Sequence, residues 1–132
     1  MSFKIKFAGK KKINAEFNGF TVYTDQPLSG GGDGTAPAPF ELFLASLGTC
    51  AGIYVKGYCD SRGIDAEGIE IELKLGFDPI KRAISQVNLE IQVPPEFPDK
   101  HLPAIINSAN LCAVKKFIEN PPEFNTYTVW KE

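Results

Sequence analysis

Three cysteines, Cys50, Cys59 and Cys112, are the residues of this chain whose type could carry covalent chemistry. Cys50 lies in residues 36–63, APAPFELFLASLGTCAGIYVKGYCDSRG, which open with prolines and then run proline-free, apolar and rich in small residues. Read as one helix, that stretch separates Cys50 from Cys59 by roughly 900° of rotation and ~13 Å of rise. Those two thiols face opposite ways, out of disulfide reach of each other. Cys112 opens a later helix, where free backbone N–H groups favour a thiolate. Cys50 and Cys112 are therefore the pair that two packed helices could most easily bring together. Spacing leaves two readings open, because free cysteine is also a common buried filler. The pair is either redox-active or merely packed; Cys59 reads as packing on the back of the helix.

Other chemistries find less in the residues. The single histidine, His101, follows Asp99-Lys100 at a helix start, where a solvated side chain is expected rather than the partner of a cysteine nucleophile. No C-x-x-C or paired-ligand spacing points to a metal, and no cofactor is expected. Gly30, Gly31 and Gly32 suggest a phosphate cradle, but no Lys-Ser/Thr follows and no buried parallel strand precedes. The segment SGGGDGTAPAP reads instead as a flexible lid or linker near the site.

The totals bound the rest. A chain of 132 residues predicts a single domain, 1–132, with enough apolar residues for a core. A net charge of -2 and arginine only at Arg62 and Arg82 give no basic stripe, so no nucleic-acid partner is expected. The low-charge run from Leu42 to Val55 is too short to span a bilayer. The start MSFKIKFAGKKK lacks an apolar signal region, so no membrane and a cytoplasmic location are expected. Free thiols rather than a disulfide framework fit that compartment.

Positioning the cysteines falls to an α+β chain of order βββ-α-ββ-αα-β. Alternation predicts strands over 3–7, 13–17 and 20–24, with Asn18-Gly19 as a hairpin turn. Pro39 at a first turn, Glu41 at the positive dipole end and Gly63 as the stop predict a helix from 39 to about 62. Ala45, Gly48, Ala51 and Gly52 form a small-residue strip on it, and helical glycine is costly. Another helix is expected to approach there, the same helix of a second subunit being the main candidate. Two long strands follow around Ile69–Leu75 and 83–93, with a phase slip before Val87. Asp99 is expected to cap a helix carrying Leu102, Ile105 and Ile106. A short helix from Cys112 to Ile118 and a last strand over 125–130 complete the order.

At these residues the chain resembles a known family. Pro39-Phe40-Glu41-Leu42-Phe43-Leu44-Ala45-Ser46-Leu47-Gly48-Thr49-Cys50 is similar to the P-x-E-L-L-L-A-A-L-G-S-C signature of OsmC/Ohr proteins, the osmotically induced and organic hydroperoxide resistance proteins. Leu111-Cys112-Ala113-Val114 is similar to the family's second, C-x-V cysteine motif. The resemblance implies an OsmC-like, intertwined homodimer whose long central helices are wrapped by antiparallel sheets. It implies peroxidase activity on organic hydroperoxides and a role in oxidative stress. Cys50 would become a sulfenic acid, Cys112 would form a disulfide with it, and an external dithiol would reset the pair. Phe40, Glu41 and Phe43 would line that active site, and apolar surroundings would favour an organic hydroperoxide over hydrogen peroxide.

The chain departs from the family pattern twice. Phe40 stands where the family's peroxidases carry a glutamate ten residues before the reactive cysteine. No arginine precedes Arg62, whereas the family draws one from the N-terminal strands; Lys10, Lys11 or Lys12 would be the nearest cations, without the planar guanidinium fork. Two other readings therefore stand beside the peroxidase. One is a non-enzymatic module that binds a small molecule in an apolar pocket; the other is a thiol redox sensor.

Overall fold

The computed structural model of the chain describes residues 1–132. The chain divides into two compact units, Met1–Ser46 and Leu47–Glu132.

The first unit is a three-stranded antiparallel meander of β1 (Lys4–Phe7), β2 (Ile13–Phe17) and β3 (Phe20–Thr24). Register runs from Lys4 opposite Glu16 to Phe7 opposite Ile13, then from Ile13 opposite Thr24 to Phe17 opposite Phe20. Asn18 and Gly19 both take positive φ, 48° and 79°, as a two-residue turn matched to strand twist requires. Phe3 and Phe17 pack with ring centroids 4.5 Å apart.

The glycine-rich segment after β3 is not a free lid. Asp25, 1% exposed, is its hub. Its carboxylate accepts the N–H groups of Gln26 (2.7 Å), Asp33 (3.3 Å) and Thr35 (3.1 Å) and the Thr35 hydroxyl (2.7 Å). Lys10 and Lys12 close on Asp33 at 2.5 and 2.6 Å. The amides of Gly30, Gly31, Gly32 and Gly34 all donate to carbonyls of residues 26–28, so none is left to cradle an anion. Composition signals a loop; one buried carboxylate, which needs several donors, decides that the loop is tied down.

Helix α1 (Pro39–Arg62) begins in the first unit and continues into the second. The Ala38 N–H donates to Glu41 Oε1 at 2.8 Å, half of a capping box. At the other end Gly63 takes φ +65°, while Ile64 N–H reaches Cys59 O and Gly63 N–H reaches Asp60 O, a Schellman stop.

In the second unit α1 packs with β4 (Glu70–Asp78), β5 (Ala83–Gln92), α2 (Leu102–Ala109) and α3 (Ala113–Glu119). The core joins Ala51, Val55 and Cys59 of α1 to Phe97, Ile105 and Ala109, with Ile71 and Ile91 against them. By length and composition alone α1 could cross a membrane; its Ala51–Val55–Cys59 face instead fills a protein core. The β4–β5 ladder shifts register at Gly76/Phe77, leaving Ser85 as the extra residue. That is the phase slip before Val87, a bulge.

Four expectations change. The strip Ala45, Gly48, Ala51, Gly52 is not one open face: Ala51 lies wholly in the unit's own core, while a Cβ at Gly48 would meet nothing. Asp99 does not cap α2 with its side chain; Asp99–His101 forms a 3-10 turn and α2 starts at Leu102. That turn carries His101 out of solvent, half-buried, with Nδ1 2.7 Å from the Tyr58 hydroxyl. The expected strand over 125–130 is not formed, because residues 121–132 have no ladder partner within the chain.

Candidate active site

Cys50 projects from α1 one residue before the buried Ala51, so its backbone is held by the core while its side chain stays half-buried. Cys112 sits at the N-cap of α3, at the end of the turn that leaves α2. A helix begins with four N–H groups that have no intrahelical acceptor. Here sulfur takes several of them. Cys112 Sγ accepts the Lys115 N–H at 3.4 Å, and the N–H groups of Val114 and Ala113 serve Cys50. The two thiols also hydrogen-bond to each other.

This arrangement splits the ionisation of the pair. The Val114 N–H, helped by the Cys112 thiol and the Ala113 N–H, outweighs desolvation and lowers the Cys50 pKa. Burial raises Cys112, which is 3% exposed, and the neighbouring Cys50 adds to the rise against the N–H groups of Lys115 and Val114. Cys50 is thus the sulfur that ionises first, and Cys112 the one that keeps its proton. A thiolate with adjacent donors is the nucleophilic form of cysteine. Cys59 differs: it lies on the buried face of α1, away from any donor, and burial pushes its pKa up.

A cavity of about 520 Å³ opens beside Cys112. Its apolar walls come from Leu47 and Ala51 of α1, Val87 and Leu89 of β5, and Ile106 and Ile118 of the later helices. Asn88, Asn110 and Lys115 are its polar members.

The remaining residues expected at the site lie on the first turns of α1, in the other compact unit. Phe40 and Phe43 stack on each other with centroids 5.8 Å apart, both exposed. Glu41 is engaged with the Ala38 N–H as a cap. Of the lysines offered as cations, Lys10 and Lys12 are committed to Asp33. Sequence reading missed the amides of Ala113 and Val114, which no side-chain type can signal. The position of Cys112 at a helix start was the one available hint.

A family model described as OsmC-like protein matches residues 31–127. The chain belongs to the OsmC-like protein family. Among solved structures, a Psychrobacter arcticus protein named for osmotic stress induction and a detoxification response is 25% identical, with a TM-score of 0.74 over 88% of this chain and 86% of that one. An OsmC-like protein of Mycoplasma pneumoniae is 11% identical, with a TM-score of 0.71 over 91% and 87%. An organic hydroperoxide resistance protein of Legionella pneumophila is 19% identical, with a TM-score of 0.59 over 89% of each chain. No curated protein matches. The α+β order βββ-α-ββ-αα is that of an OsmC-like fold, and the low identities mark a divergent member.

Proposed function

We propose that this OsmC-like protein reduces organic hydroperoxides through Cys50, with Cys112 as resolving cysteine. The observation that carries the reading is the shared hydrogen bond of two thiols whose pKa values move in opposite directions. The Legionella relative's name, organic hydroperoxide resistance protein, agrees with it.

The cycle balances as follows. The Cys50 thiolate attacks the terminal oxygen of ROOH, the O–O bond breaks, and the alkoxide leaves and takes a proton to become ROH. Cys50 is then a sulfenic acid. The Cys112 sulfur attacks it, an S–S bond forms, and hydroxide departs with the Cys112 proton as water. An external dithiol is oxidised to its disulfide as the two thiols are restored. The family's arginine and glutamate are absent; the N–H groups of Val114 and Ala113 supply fixed positive dipole to the thiolate in their place.

The same reading takes the two compact units as one domain, since the family match runs across their boundary, and takes the working form as a homodimer. No residue of the five strands is fully buried. Ile53 on α1 is 64% exposed and Phe77 on β4 63%. So much uncovered apolar surface calls for a partner, and a second copy is the partner the resemblance implies.

Reduced protein given one equivalent of cumene hydroperoxide is expected to lose two thiols per chain and gain a disulfide between the peptides of Cys50 and Cys112. A Cys50→Ser variant that consumes peroxide as fast as the parent would overturn the assignment. The sensor reading is favoured by Phe40 at the family's carboxylate position; it predicts the same disulfide without sustained turnover when dithiol is supplied.

A further inference from the structure

The cavity beside Cys112 has features that the thiol chemistry does not use. Its volume, about 520 Å³, falls within the roughly 300–1,000 Å³ of small-molecule sites. Cys112 is part of its wall and Cys50 is not. None of its lining residues is acidic, and its one cation is Lys115. The Lys115 ammonium lies 3.2 Å from Asn110 Oδ1, an amide oxygen that holds it in place without cancelling its charge. Asn88, a second amide, stands in the same wall. An apolar trough with a cation and two amides in its lining complements a molecule with a hydrocarbon body and one anionic oxygen-bearing end.

We propose that this cavity binds an amphipathic monocarboxylate, whose occupancy slows closure of the Cys50–Cys112 bond. The hydrocarbon would lie along Leu47, Val87, Leu89 and Ile106, and the carboxylate would accept hydrogen bonds from Lys115 and the amide groups. The binding site stands on the cavity alone; the slowing rests on the thiol cycle proposed above. Its reason is geometric. To reach an S–S length of about 2.05 Å, the Cys112 sulfur must turn away from the Lys115 N–H toward Cys50. A molecule packed against Cys112 and α3 opposes that movement, while peroxide attack at Cys50 remains open. The bound acid would therefore leave the protein longer in its sulfenic state.

The test titrates the reduced full-length protein with octanoate and with 1-octanol by calorimetry, and maps both by amide chemical shifts. Octanoate is expected to bind one site per chain, with shifts centred on residues 87–91 and 106–118, and at least about fivefold more tightly than the neutral alcohol. Lys115→Met, a change at an exposed side chain, is expected to erase that preference. No saturable octanoate binding, equal affinity for acid and alcohol, or shifts centred elsewhere would overturn the site. The second arm adds one equivalent of cumene hydroperoxide with and without saturating octanoate. Slower disulfide formation and more dimedone-trapped Cys50 are expected with octanoate; an unchanged closure rate refutes the slowing. Neither disulfide nor trapped sulfenic acid in either sample refutes the thiol cycle and the slowing with it, while the octanoate isotherm still decides the site.

Discussion

Cys50 and Cys112 share a hydrogen bond, yet their surroundings drive their ionisation apart. The cause is where the first-turn amides of α3 point. Those of Val114 and Ala113 lower Cys50, whereas burial dominates at Cys112. One short helix start thus assigns two chemically identical side chains to different roles.

The first consequence is selective alkylation. At pH 7 iodoacetamide is expected to modify Cys50 at least about tenfold faster than Cys112, with Cys59 unreacted until the protein unfolds. Peptide mass spectrometry over a pH series checks it. The Cys50 rate should rise with pH to a plateau at a lower pH than for an ordinary cysteine, because its folded pKa is depressed. Equal rates at Cys50 and Cys112 would contradict the split.

Asp25 makes the first unit acid-sensitive. Its pKa lies well below the usual carboxylate range, chiefly because the Thr35 hydroxyl donates to it, with the N–H groups of Thr35 and Gln26 adding to the effect. A depressed folded pKa contributes stability that is present above the unfolded value, about 3.9, and is lost as pH falls toward the folded one. Asp25→Asn is expected to lower the melting temperature by several degrees at pH 7. The gap to the parent should narrow steadily below about pH 4. A gap that stays constant from pH 7 to pH 3 would show that the charge of Asp25 is not what matters.

Two glycines of the same loop should respond for different reasons. A Cβ at Gly32 would fall 2.0 Å from the Gln26 carbonyl oxygen, a backbone atom that cannot swing aside. Gly32→Ala is expected to cost about 2–3 kcal/mol through overpacking. At Gly34 there is open space but φ is +65°, so Gly34→Ala should cost about 1–2 kcal/mol through backbone strain. Urea midpoints measure both. The reverse order would mean that the loop does not hold this conformation in solution.

The uncovered surface of α1 gives the last prediction. Ile53→Asp is expected to convert a dimer into a monomer in sedimentation equilibrium and to lower the melting temperature, because a charge would be forced into the interface. Deleting residues 121–132, where Trp130 is 97% exposed in the single chain, should weaken association as well. A monomeric parent protein at micromolar concentration would remove the dimer reading.

Local chemistry determined much of this protein directly. Asn18-Gly19, the bulge before Val87, and the limits of α1 at Pro39 and Gly63 all follow from residues acting on their own neighbourhood, where φ preference and alternation leave few choices. The motif ending at Cys50 carried the family for the same reason, being continuous in the chain. What needed the tertiary structure were the relationships between distant atoms. His101 meets Tyr58 because a 3-10 turn reorients it, and Asp25 gathers donors from residues up to Thr35. Ala51 falls in the core because α2 and the sheet come to that side of α1. The Cys50 sulfur is tuned by amides more than sixty positions away, and main-chain donors are the same in every sequence. Only packing decides which sulfur they face, because a hydrogen bond depends on where two groups stand and not on the order in which the chain reaches them.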